Sequence, residues 1–175
     1  DGTAVVDNSM SFTVTGVNDA PIISAPLLAA ATEDGAIVTV DALANASDVD
    51  HGAVLTYALV GTVPTGLTMA AGGSWTMDAS SYDSLAAGEP LTVTVTYDVT
   101  DGLKITPASV TWNITGTNDV PEVTGAVTGA ATEGGASSTL DALANASDAD
   151  DGTILSVVNV PKTLPAGVTY DPATQ

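Results

Sequence analysis

Leu91-Thr92-Val93-Thr94-Val95-Thr96-Tyr97-Asp98-Val99-Thr100 is the stretch that decides the fold. Apolar residues hold every second position, so an extended chain puts Leu91, Val93, Val95, Tyr97 and Val99 on one face and the Thr residues on the other. Val110, Trp112 and Ile114 alternate with Thr111, Asn113 and Thr115 in the same way. Both segments read as strands with one buried face. Shorter β-rich runs at residues 37–40, 54–60, 67–69 and 74–77, with an extended segment after Pro21, are separated by Gly, Pro, Asn and Asp. About seven short strands in about a hundred residues is the pattern of an all-β, Ig-like Greek-key sandwich. For residues 27–31 and 81–87 a short helical turn is the alternative to a strand or loop.

Outward from this stretch, the chain repeats itself. Asn18-Asp19-Ala20-Pro21 returns as Asn118-Asp119-Val120-Pro121, Thr32-Glu33 as Thr132-Glu133, and residues 41–48 return unchanged as residues 141–148. Asp1-Gly2 matches Asp101-Gly102, Phe12 matches Trp112, and Gly16 matches Gly116 in the same register. The reading is a tandem array. Residues 1–17 are the C-terminal strand of a preceding repeat, residues 18–117 a complete repeat, and residues 118–175 the N-terminal part of the next. That third copy lacks counterparts of the strands from Trp75 to Thr100 and from Val110 onward, which reads as truncation.

The 175 residues carry 21 Asp and Glu against Lys104 and Lys162, a net charge of -19. Such a balance excludes nucleic acid as a partner, because phosphate contacts need Lys and Arg. Most carboxylates have no basic partner in the chain, so their repulsion is screened, tolerated or relieved by a cation. With no cysteine there are no disulfides or thiolate sites. No run of about eighteen apolar residues marks a membrane span.

The acids do not scatter over the strand faces. They cluster at Asn18-Asp19, Glu33-Asp34, Asp48 with Asp50, Asp98 and Asp101, and again at Asn118-Asp119, Glu133, and Asp148 with Asp150. All but Asp98 fall on expected loops or repeat boundaries. A lone Asp in a β-protein loop is more often a turn former than a ligand. Clustered acids without basic partners argue instead for a hard cation such as Ca2+, which takes about six to eight oxygen ligands. At the second boundary, Asn118 and Asp119 would come from the linker, Glu33 and Asp101 from the repeat before it, and Asp148 and Asp150 from the repeat after it.

Gly73-Ser74-Trp75-Thr76-Met77, residues 85–89, Asp101-Gly102 and the boundary Thr115-Gly116-Thr117-Asn118-Asp119-Val120-Pro121 together resemble the VCBS and cadherin-like repeats of giant RTX-type bacterial adhesins. The resemblance spans essentially the whole chain. It implies a secreted, non-enzymatic spacer on the bacterial cell surface, supporting adhesion or biofilm formation. Cadherins are similar in layout, with an Asn-Asp linker ending in Pro, then a Glu, then Asp-x-Asp, here Pro21, Glu33, and Asp48 with Asp50. That likeness implies linker calcium, with Glu33 serving the following junction and Asp48 with Asp50 the preceding one. The chain departs from cadherins in lacking a Leu-Asp-Arg-Glu segment, which leaves ligand and ion numbers open.

Other chemistry finds little support. The only histidine, His51, is Asp151 in the next copy and reads as a loop residue, so no nucleophilic triad forms. Paired carboxylates hydrolyse glycosides, yet abundant acids are not a site. Trp75 and Tyr82 are the only candidate sugar contacts, and Trp75 reads as core. The expected partners are neighbouring repeats of the same chain. Other copies of the chain, as in a self-assembling filament or surface layer, and surface glycans are the alternatives.

Overall fold

The computed structural model describes residue 2 and residues 7–70 and 73–173. Among the described residues there is no α-helix and there are eleven strands: β1 (Ile22–Ile23), β2 (Leu27–Thr32), β3 (Val38–Asp41), β4 (Ala46–Ser47), β5 (Thr56–Val60), β6 (Leu67–Ala70), β7 (Ser74–Met77), β8 (Pro90–Thr100), β9 (Ile105–Thr115), β10 (Glu122–Val123) and β11 (Ala146–Ser147). A four-stranded sheet runs β2-β9-β8-β5 and a three-stranded sheet β3-β7-β6, while β1 pairs with β4 and β10 with β11. This is the all-β, Ig-like architecture expected.

The alternating stretch forms β8, and its apolar face is the core. Val93, Val95, Tyr97 and Val99 are buried, as are Val110, Trp112 and Ile114 of β9. Antiparallel pairing runs from Pro90 opposite Thr115 to Thr100 opposite Ile105, closed by a turn in which Gly102 adopts φ 94°. Trp75 and Met77 come from the facing sheet and are fully buried. The rings of Tyr57, Trp75 and Tyr97 meet with centroids 5.9 to 6.0 Å apart. Tyr97 donates its buried hydroxyl to the Ala42 carbonyl at 2.8 Å, so that polar group is not left unpaired.

Residues 27–31 belong to strand β2, not to a helical turn. The run Leu-Leu-Ala-Ala-Ala has good helix propensity, but pairing with β9 and burial of Leu27 and Ala31 override it. The pairing is parallel, Leu27 opposite Val110 through Thr32 opposite Thr115. A consequence for the site follows directly: Glu33 leaves β2 beside Thr117 as that residue leaves β9. In the other candidate turn, Ala79–Tyr82 forms one 3-10 turn and Asp83 follows it.

The hundred-residue register persists in the ladders. Ile22 pairs with Ser47 and Ile23 with Ala46, and likewise Glu122 with Ser147 and Val123 with Ala146. Apart from Ala146 and Ser147 of β11, residues 124–173 join no ladder among the described residues. Phe12 likewise lies in no strand. It is 83% exposed, whereas its register mate Trp112 is 0% exposed. No helix of the described residues is long and apolar enough to cross a membrane.

Candidate metal centre

Residues 18–117 have an acidic end at each boundary, and the strand directions decide which residues share an end. At the first boundary, Asn18 donates through Nδ2 to Asp101 Oδ2 at 2.8 Å, and the Asp19 amide donates to Asp50 Oδ2 at 2.7 Å. Asp48 Oδ1 accepts from the Asp50 amide at 2.8 Å. Asp101 Oδ1 accepts from the amides of Leu103 and Lys104, each at 2.7 Å, and Lys104 Nζ reaches the Asn18 carbonyl at 2.6 Å. The amides of Lys104 and Leu103, with the Asn18 side chain, hold the Asp101 carboxyl below its usual 3.8. One carboxylate oxygen at this end, Asp48 Oδ2, is buried without a partner.

The second boundary is built differently. Glu33 is fully buried, and its Oε2 accepts the Thr117 amide at 2.8 Å. Thr117 Oγ1 approaches Asp34 Oδ2 at 3.3 Å. The Asp119 amide donates to Asp150 Oδ2 at 3.1 Å, Asp148 Oδ1 accepts the Asp150 amide at 3.0 Å, and the Asp151 amide donates to the Ser84 carbonyl at 2.9 Å. Asn118 donates through Nδ2 to the carbonyl of Asp119. The linker backbone therefore ties one oxygen of a carboxylate in each flanking repeat. The opposite oxygens, Glu33 Oε1 and Asp150 Oδ1, are buried and unpartnered, and so is Asp119 Oδ2.

Glu33, Asp83 and Asp119 each offer an oxygen, and these lie within 4.8 Å of one another. Loss of hydration raises the Asp119 carboxyl above its usual 3.8, and the charges of Asp83, Asp34, Asp150 and Glu33 add to it. Among the described residues no basic side chain faces this group of acids, so protonation or a bound cation would relieve its repulsion. Calcium suits an all-oxygen set drawn from carboxylates, an amide and backbone carbonyls.

Measured against the expected residues, the structure brings Glu33, Asn118, Asp119, Asp148 and Asp150 to the second boundary. Asn18, Asp19, Asp48, Asp50 and Asp101 gather at the first. Asp101 is thus at the opposite end of the repeat from Glu33, because the β8–β9 turn carries it back to the first boundary. That corrects the expected grouping of Asp101 with Glu33. Asp98 sits within β8, opposite Pro107 and Ala58, in no described acidic grouping. Glu133 is exposed in the third copy. Asp83 was not expected, and the third copy carries no repeat of it within residues 118–175.

The sugar-platform alternative loses its main residue. Trp75 is 0% exposed, and Tyr82 commits its hydroxyl to the Thr65 carbonyl at 2.7 Å.

A two-layer β-sandwich with an acidic linker at each end defines a modular Ig-type repeat. The bacterial Ig domain family matches residues 18–115, more than half of the chain, and the chain belongs to that family. It is a family of structural modules, typically non-catalytic and usually outside the cell. No curated protein matches the chain. Among solved structures, an endo-fucoidan hydrolase of glycoside hydrolase family 107 aligns at 20% identity and a TM-score of 0.40, over 64% of this chain and 16% of that one. A chimeric titin Z1Z2 carrying an exogenous decorin peptide aligns at 13% identity and a TM-score of 0.33, over 65% of this chain and 56% of that one.

Proposed function

We propose that these repeats are non-enzymatic spacers of a secreted bacterial surface adhesin of the VCBS or RTX type, stiffened by calcium at each repeat junction. The observation that carries this reading is the set of buried, unpartnered oxygens Glu33 Oε1, Asp119 Oδ2 and Asp150 Oδ1. They come from the preceding repeat, the linker and the following repeat, so an ion that satisfies them joins three segments at once. Without a cation, a fully buried carboxylate such as Glu33 costs on the order of several kcal/mol. That cost favours an opened junction.

Glu33, Asp83 and Asp119, whose oxygens lie within 4.8 Å of one another, form the core of the proposed ion site, and Asp150, whose charge acts on Asp119, completes it with Asn118 and linker carbonyls. Calcium turns the hinge between repeats into a joint. With an extracellular-module affinity of about 10⁻⁴ to 10⁻³ M, calcium at about 10 mM stabilises the site by roughly 1.4 to 2.7 kcal/mol. For a domain of this size that is a sizeable fraction of total stability. A rigid array holds whatever lies at its tip away from the cell surface, which is what an adhesive or biofilm-forming protein needs.

Two measurements test the reading. Calcium raises the melting temperature of the chain, and it increases the radius of gyration of a multi-repeat chain relative to chelator. Equal melting temperatures and equal radii in the two conditions contradict it.

A further inference from the structure

We infer that the loop at residues 83–89 is the surface that receives the next repeat, and that Gly116 is the residue that positions it. The inference concerns the same junction as the calcium reading and rests on it only for the affinity measurement below. The contact itself is a direct one between protein groups.

The loop touches the following repeat at two adjacent residues. Ser84 accepts the Asp151 amide at 2.9 Å, and Asp83 lies beside Asp119 within the acidic group. A cleft between the loop and the next repeat is lined by Asp83 on one side and by Asp119, Glu122, Ser147 and Asp148 on the other. Docking thus depends on where residues 83 and 84 stand to within hydrogen-bond tolerance.

Three restraints put them there. Leu85 is partly buried against the core, anchoring the loop from below, and its amide donates to the Tyr82 carbonyl at 3.1 Å. Glu89 folds the loop on itself, its amide bonding the Ala86 carbonyl at 2.8 Å and its Oε2 accepting the Ala86 amide at 3.2 Å. The third restraint is Gly116. Its carbonyl accepts from Gly88 at 2.9 Å and its amide donates to Glu89 at 2.8 Å, pulling the loop onto the end of β9.

This approach is close enough to exclude a side chain. A Cβ at Gly116 would overlap the carbonyl oxygens of both Leu85 and Ala86, which are backbone atoms and cannot swing aside like a flexible side chain. The requirement is space, since φ at Gly116 is not positive. Residue 116 is also the last before Thr117, whose amide holds Glu33. One glycine therefore sets the loop and the linker against each other, and the same register position in the preceding copy is Gly16.

The test uses the 175-residue chain with Gly116→Ala, and Gly125→Ala as control, because a Cβ at Gly125 meets nothing within 4 Å. Amide exchange is followed in chelator at Asp151, with Val99 in the core of β8 as internal reference, and calcium affinity is titrated separately. Gly116→Ala is expected to accelerate exchange at Asp151 and not at Val99, and to weaken calcium binding by about 10-fold or more. Gly125→Ala leaves both unchanged. Wild-type exchange at Asp151 in Gly116→Ala overturns the proposal, as does equal acceleration at Asp151 and Val99, which marks general destabilisation. If Gly116→Ala does not fold, Glu89→Ala releases the loop without adding an atom and must accelerate Asp151 by several-fold; no change there overturns it. A wild-type chain that binds no calcium sinks the calcium reading, while the exchange data still decide the docking surface.

Discussion

Residues 18–21 and 118–121 are copies of one linker placed in different company. At the first, the described hydrogen bonds pair linker groups with residues of the following repeat: Asp19 with Asp50, Asn18 with Asp101, and Lys104 with the Asn18 carbonyl. At the second, the preceding repeat adds Glu33, Asp34 and Asp83. Unpartnered buried carboxylate oxygens rise from Asp48 Oδ2 alone to Glu33 Oε1, Asp119 Oδ2 and Asp150 Oδ1. The difference teaches that the larger group of unpartnered carboxylates forms where the preceding repeat, the linker and the following repeat meet. At the first linker Asp48, Asp50 and Asp101 each accept a hydrogen bond, and among the described residues Asp48 Oδ2 is the one carboxylate oxygen left buried without a partner.

The same contrast between register mates can be broken by mutation, and the largest effect lies in the core. Trp112→Ala removes a fully buried ring and costs about 3–5 kcal/mol, whereas Phe12→Ala, at its exposed mate, stays within about 0.5 kcal/mol in denaturant unfolding. A large loss for Phe12→Ala would show that residues 7–17 pack in this chain.

Next in size is the response to calcium. Glu33→Gln is expected to abolish most of the roughly 1.4 to 2.7 kcal/mol that calcium adds, and Glu133→Gln to leave it intact, as read by melting with and without chelator. Equal effects of the two substitutions would break the comparison, because Glu33 is fully buried and Glu133 exposed.

Acidification in chelator should move the two boundaries in opposite directions. Asp119 has a raised pKa in the folded chain, so the second joint gains stability as the pH falls through that value and loses it as the pH rises again. Asp101 has a lowered pKa, so its contribution is present above 3.8 and disappears as the pH falls through its folded value. Chelated melting of Asp119→Asn should be flat across the window in which the wild type gains. A parallel gain in that variant removes Asp119 as the cause.

The smallest effect is expected at Lys104. It is exposed and bonds the Asn18 carbonyl, so Lys104→Ala should cost at most about 0.5 kcal/mol and leave the calcium response unchanged. A changed calcium response would tie the first boundary to the same ion chemistry.

What could be read beforehand was what strand periodicity and repetition carry. The Thr alternation from Leu91 to Thr100 located β8 and its buried face, and the register located both linkers. Residues 27–31 allow a strand or a helical turn because their helix propensity is local, while the parallel partner β9 lies about eighty residues away. Asp101 was assigned to the wrong end because hairpin direction is a property of the fold, not of acidic clustering. Asp83 went unseen for a related reason. It follows a 3-10 turn in a loop whose position depends on Gly116, and no second copy of that loop falls within the chain.

The account is tested most directly by a crystal structure of the chain grown with calcium. It predicts an ion at the second boundary with Glu33 Oε1, Asp119 Oδ2 and Asp150 Oδ1 among its ligands at about 2.3–2.6 Å. Those oxygens found without an ion at about 10 mM calcium, or turned to hydrogen-bond partners within the protein, would contradict it.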